Sequence, residues 1–170
     1  MTHSWVIARP TVGHQDVPVV LASGFVATLG ITTIMYLLPF VGLPQVDLPL
    51  SVARLFVTDP AGAGALGMLV HLLMGFSFAW LFAAQVEPRL MVGPGAAGLL
   101  FGVVLWIFVQ AVAVPGFGAV AASLGRASAT PGVLSTNLGW QAAAASLIAH
   151  LTYGGVLGAV YGCHSGGRCR

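Results

Sequence analysis

Polar and charged residues in this chain are gathered into short clusters separated by long apolar windows. No Asp, Glu, Lys or Arg occurs within residues 17–46, 60–86, 90–125 or 127–167. A helix rises 1.5 Å per residue, so about 20 apolar residues cross the ~30 Å hydrocarbon core of a bilayer. The windows accommodate four such helices, near residues 17–41, 62–84, 95–114 and 140–162. The predicted fold is all-α, a polytopic membrane protein with four transmembrane helices arranged as two tandem helical hairpins.

The punctuation between the windows sets the organisation. Residues 1–16 form a polar N-terminal segment, 17–84 a first transmembrane hairpin, 85–94 a linker, 95–162 a second hairpin, and 163–170 a tail. The linker is short and carries Glu87, Pro88, Arg89 and Pro94, all helix-end or turn signals. Within each hairpin the connection is long instead, residues 42–61 and 115–139, beyond the usual loop length. After Pro49 the first connection alternates apolar and polar residues and predicts a short interfacial helix. Both connections are too apolar for plain solvated loops, and the second is expected to fold against the bundle or a partner subunit.

Composition agrees with a membrane protein. The chain is 58% hydrophobic and 6% charged with a mean hydropathy of +0.96, against about 25% charged residues in a soluble domain. The basic balance comes from six arginines and no lysine, too few and too scattered for a nucleic-acid surface, so no nucleic-acid partner is expected. Arg9, Arg89, Arg168 and Arg170 fall on one side of a four-span arrangement and Arg54 and Arg126 on the other. The positive-inside rule then places both termini in the cytoplasm, with the protein in the bacterial inner membrane and the long loops outside. The first apolar run has no convincing cleavage site and is expected to stay as an anchor.

One pattern recurs. His71-Leu72-x-x-Gly75-x-x-x-Ala79 in the second helix returns as His150-Leu151-x-x-Gly154-x-x-x-Gly158 in the fourth, which suggests a duplicated hairpin. Each histidine lies about ten residues inside its helix, roughly 14 Å deep, and an ionisable residue at that depth is a functional-site candidate. Small residues on the remaining helices, Gly24 and Thr28 in the first and Gly98 and Gly102 in the third, suit close helix packing, as do Ala79 and Gly158. Gln110 is expected to bond across the bundle.

Three readings of the histidine pair are open. His71 and His150 could be axial ligands of a b-type haem, with Gly75 and Gly154 giving room for the macrocycle. They could form a proton-accessible or quinone-facing site, since neutral imidazole both donates and accepts. They could be structural, each bonded to a carbonyl or hydroxyl such as Thr32 or Ser146. No nucleotide-binding glycine fingerprint, HExxH or GxSxG is present, and the four carboxylates sit at membrane edges, so no enzymatic activity is expected. Cys163, His164 and Cys169 in the tail are one ligand short of a structural zinc site, and a disulfide is not expected in a reducing cytoplasm.

At its two His-Leu-x-x-Gly units the chain resembles small, uncharacterised four-helix bacterial membrane proteins, some of which accompany haem–copper respiratory oxidases. The resemblance implies a non-catalytic integral subunit or accessory protein of a respiratory electron-transfer complex, partnered by larger membrane-protein subunits. It brings no residue of known function with it. The alternatives are a bis-histidine b-type cytochrome and a small transporter or channel, the last suggested by the internal repeat.

Overall fold

A computed structural model describes residues 16–126 and 132–164. Its helices are α1 (Val17–Leu37), α2 (Leu48–Ala53), α3 (Pro60–Leu81), α4 (Pro94–Phe108), α5 (Val114–Ser123) and α6 (Trp140–His164), and the described residues contain no strand. Four helical stretches, Val17–Val41, Pro60–Arg89, Pro94–Ser123 and Trp140–His164, are long and apolar enough to cross a membrane. The protein is an all-α, multi-pass membrane protein. Most of the expected N-terminal segment, and the tail beyond His164, lie outside the described residues.

The helix starts follow from local chemistry. Asp59 caps α3 by accepting the Gly62 N–H at 2.7 Å with Pro60 in the first turn, and Asp47 caps α2 by accepting the Leu50 N–H at 2.8 Å. The α4 helix begins at Pro94, where the missing N–H costs nothing. The third span corrects the sequence reading, which ended it at residue 114. After a wide π turn at Val109–Ala113 it continues as α5 to Ser123. Proline breaks a helix because it lacks an N–H and its ring meets the carbonyl four residues back. The wide turn just before Pro115 relieves both problems and carries the helix on. A second π turn, Phe82–Val86, precedes Pro88 in the same manner.

The spans pack in the order α3, α1, α6, α4. Between α3 and α4 there is no seam of comparable extent; α4 instead meets the π turn that extends α3, where Phe82 lies 5.5 Å from Phe101 and 5.9 Å from Tyr161 between ring centroids. That aromatic cluster fills the bundle at the end that carries the 85–94 linker, called here the linker end. At the opposite, loop end, α2 folds back onto α3, so close that a Cβ on Gly67 would lie 3.0 Å from the Leu50 Cα. Arg126, just after α5, donates to the backbone carbonyl of Leu55 at 2.6 Å and ties the two long connections together. Phe25, Leu29, Leu73, Val104 and Ile107 form part of an exposed apolar belt that suits lipid contact.

Candidate functional site

Close packing of small residues decides what the helix faces do. In the first hairpin Gly24 faces Ala79, Thr28 faces Gly75, and Thr32 faces His71. A Cβ on Gly24 would come within 2.8 Å of the Ala79 Cβ, and one on Gly75 would collide with the Thr28 hydroxyl. In the second hairpin a Cβ on Gly98 would lie 2.8 Å from the Gly158 Cα, one on Gly102 would lie 3.2 Å from the His150 carbonyl carbon, and one on Gly154 would lie 2.9 Å from the Gly102 Cα. Every small residue singled out in the sequence is therefore spent on a helix contact. The Thr28 hydroxyl turns inward to its own helix and donates to the Gly24 carbonyl at 2.7 Å.

Against this background the two histidines stand out. His71 of α3 and His150 of α6 line one cavity of about 80 Å³ between the spans, together with Gly75, Ser146, Gln110 and Tyr153. Apolar side chains of α1 and α4, among them Ile31, Met35, Leu105 and Val109, complete the wall. Toward the loop end Pro44, Val46, Leu48 and Pro49 of the first connection cover it. Toward the linker end the packed Phe82 cluster closes the bundle. A second, larger cavity of about 370 Å³ lies between the first long connection, α5 and the residues Arg126, Ser135 and Leu138 that follow α5, and shares Val46, Leu48 and Val114 with the first.

The hydrogen bonds fix the chemistry of the walls. His150 Nδ1 lies 2.7 Å from the Ser146 carbonyl oxygen, which can only accept, so Nδ1 carries the proton and Nε2 of the neutral ring is left as an acceptor. His71 Nδ1 lies 3.4 Å from the Thr32 hydroxyl, a longer and weaker contact. The Tyr153 hydroxyl donates to the Gly75 carbonyl at 2.6 Å and ties α6 to α3 beside the cavity. Gln110 does not bond across the bundle as the sequence suggested. Its Oε1 accepts from Ser135 of the second connection at 2.7 Å, while its buried Nε2 has no partner among the described residues. Ser135 is held in the left-handed region at φ 55°, a conformation that a non-glycine residue adopts at a cost.

No family model matches the chain, and no curated protein or solved structure is significantly similar to it. Drug-sized ligands occupy pockets of roughly 300–1,000 Å³, and a macrocycle the size of haem needs such a space between its two ligands. The histidine cavity has about 80 Å³. Gly75, expected to give a macrocycle room, is covered by Thr28, and Gly154 packs on Gly98 and Gly102 away from the cavity. The residues present do not fit a b-type haem.

What the cavity does fit is water. A water occupies about 30 Å³ in the liquid and needs two to four polar partners, so the volume takes two or three, and the two imidazoles supply partners. Sequence reasoning singled out the histidines but not Tyr153 or Ser135. Tyr153 stands three residues after His150, a spacing that puts both on one helix face, and that signal was available. At the end of α6, exposed Cys163 is disulfide-bonded, against the expectation from a reducing compartment. Among the described residues no group of three or more His, Cys, Asp or Glu is placed to hold a metal ion.

Proposed function

We propose that this protein is a non-catalytic membrane protein whose paired histidines, His71 and His150, form a hydrated, proton-accessible site reached from the loop end. The observation that carries this reading is the single cavity lined by both imidazoles, with Gln110 in its wall and the buried Gln110 Nε2 unpartnered among the described residues. A buried donor without a protein partner calls for water or a ligand, and imidazole is the side chain whose ordinary titration lies nearest neutrality. The neighbouring cavity offers the approach, and the Phe82, Phe101 and Tyr161 cluster opposes passage at the other end. The site would thus exchange protons with one side without conducting them across.

A proton site of this kind suits an accessory subunit of a larger assembly. The respiratory electron-transfer complex implied by the His-Leu-x-x-Gly resemblance is the setting we propose. The bacterial inner membrane, with both termini cytoplasmic and the loop end outside, completes the proposal and rests on the arginine distribution.

Imidazole ¹⁵N resonances of the protein in nanodiscs test the reading. As pH falls from about 8 to about 5, both rings are expected to take up protons reversibly, and His71→Ala is expected to move the titration of His150. Two rings that hold one protonation state across this range, without exchange with bulk water, would sink the proposal and leave a packing role.

A further inference from the structure

The larger cavity carries a second inference that does not depend on the histidines. Its rim holds Arg54, one residue beyond α2, and Arg126, three residues beyond α5, both exposed and both outside the apolar spans. The guanidinium of Arg126 spends its Nη1 on the Leu55 and Arg54 backbone carbonyls, at 2.6 and 3.4 Å, and its other donors remain available among the described residues. Arg54 has no side-chain partner among them. The one carboxylate on the cavity, Asp47, is engaged instead in capping α2, where it accepts the Leu50 N–H. Two guanidinium charges and one capped carboxylate therefore share the opening, which is net positive and holds no ion pair among the described residues.

The walls are mostly apolar, with Leu55, Val114, Phe117 and Leu138 beside the polar Gln45, Ser51 and Ser135, and the volume of about 370 Å³ falls within the range of small-ligand pockets. A charged opening at headgroup level above a mostly apolar interior matches an anionic amphiphile. We infer that this cavity binds the phosphate headgroup of an anionic membrane lipid, with Arg54 and Arg126 on the phosphate oxygens and the start of an acyl chain against Phe117 and Leu138. Arginine suits the task because its planar fork meets phosphate oxygens two at a time.

Arg54 permits a clean test, because the contact between Arg126 and residue 54 uses only the backbone carbonyl and survives a side-chain change. Thermal unfolding would be followed in detergent with added phosphatidylglycerol, phosphatidylcholine or inorganic phosphate. Phosphatidylglycerol is expected to raise Tm by roughly 3–10 °C, phosphatidylcholine and inorganic phosphate by little. Arg54→Gln is expected to lose most of the rise while keeping its Tm in phosphatidylcholine. In the unmodified protein, about 1 M salt should also erase the rise, since screening then acts over roughly 3 Å; this arm needs no variant to fold. An equal rise with phosphatidylcholine, or one that persists in both Arg54→Gln and high salt, would overturn the inference. So would a rise that inorganic phosphate reproduces by itself, which would make the site one for a free anion.

Discussion

Replacing Gly154 by alanine is the most direct probe of how this bundle holds together. A Cβ at this position would overlap the Gly98 carbonyl oxygen and come within 2.8 Å of the Gly102 nitrogen and 2.9 Å of its Cα. All three are backbone atoms, so no side chain can swing away and α4 and α6 must part. Introducing a methyl into a packed contact costs typically about 1–3 kcal/mol, offset by the 0.5–1 kcal/mol that alanine gains over glycine in a helix, roughly. The net expectation is a loss of about 1–2 kcal/mol. Separation is costly here because helix association in lipid depends on van der Waals contact more than on exclusion of water, and a gap of roughly 0.5–1 Å forfeits a quarter to a half of each contact.

Gly64 in α3 is the internal control, because a Cβ there would meet nothing within 4 Å. Only helix propensity then remains, and Gly64→Ala should stabilise by about 0.5–1 kcal/mol. Equilibrium unfolding of both variants in mixed detergent micelles, followed by far-UV circular dichroism, measures the gap between them, expected near 2 kcal/mol, roughly the sum of the two effects. If Gly154→Ala proves as stable as the unchanged protein, or gains stability as Gly64→Ala does, the glycine is not held against α4. The room beside it would then be available to a bound group after all, a haem macrocycle included.

Two further outcomes are expected. Gln110→Leu removes both the bond from Ser135 and the unpartnered amide; with water in the cavity it should lose about 1–2 kcal/mol in the same unfolding assay, whereas a gain would mean a dry cavity and no route for protons. Phe56→Cys, at an exposed position of the first long connection, in a chain with Cys163 and Cys169 changed to serine, should react with a membrane-impermeant maleimide in intact cells. Labelling only after lysis would reverse the orientation proposed from the arginines and put the Cys163 disulfide on the oxidising side, where such bonds persist.

The spans were legible because charge is excluded from the bilayer core so strongly that four windows without Asp, Glu, Lys or Arg are almost a map of the helices. The continuation past Pro115 was not, because proline ordinarily stops a helix and only the wider turn at Val109–Ala113 cancels its effect. The histidines were legible as isolated ionisable groups. The role of the glycines beside them was ambiguous, since a stripe of small residues serves a close helix or a bound group equally well; the fit of Thr28 over Gly75 decides it. The partner of Gln110 could not be read at all, because Ser135 reaches it through two consecutive left-handed residues, Leu134 and Ser135, that are not glycine.

The order of residue sizes along each hairpin explains why the cavity lies where it does. From the linker end toward the loop end, the α1–α3 contacts run Gly24 to Ala79, Thr28 to Gly75, then Thr32 to His71. Along α4 and α6 they run from Gly98 against Gly158 and Gly102 against Gly154 to Trp106, whose indole N–H reaches the Ala143 carbonyl at 3.2 Å. Both seams thus begin with groups that let backbones touch and end with larger side chains that do not. The bundle is tight beside Phe82 and leaves space near the histidines, which residues 44–49 then cover. A substitution that enlarges the linker-end contacts should therefore disturb the histidine cavity from a distance, through the helix seams rather than through any residue that lines it.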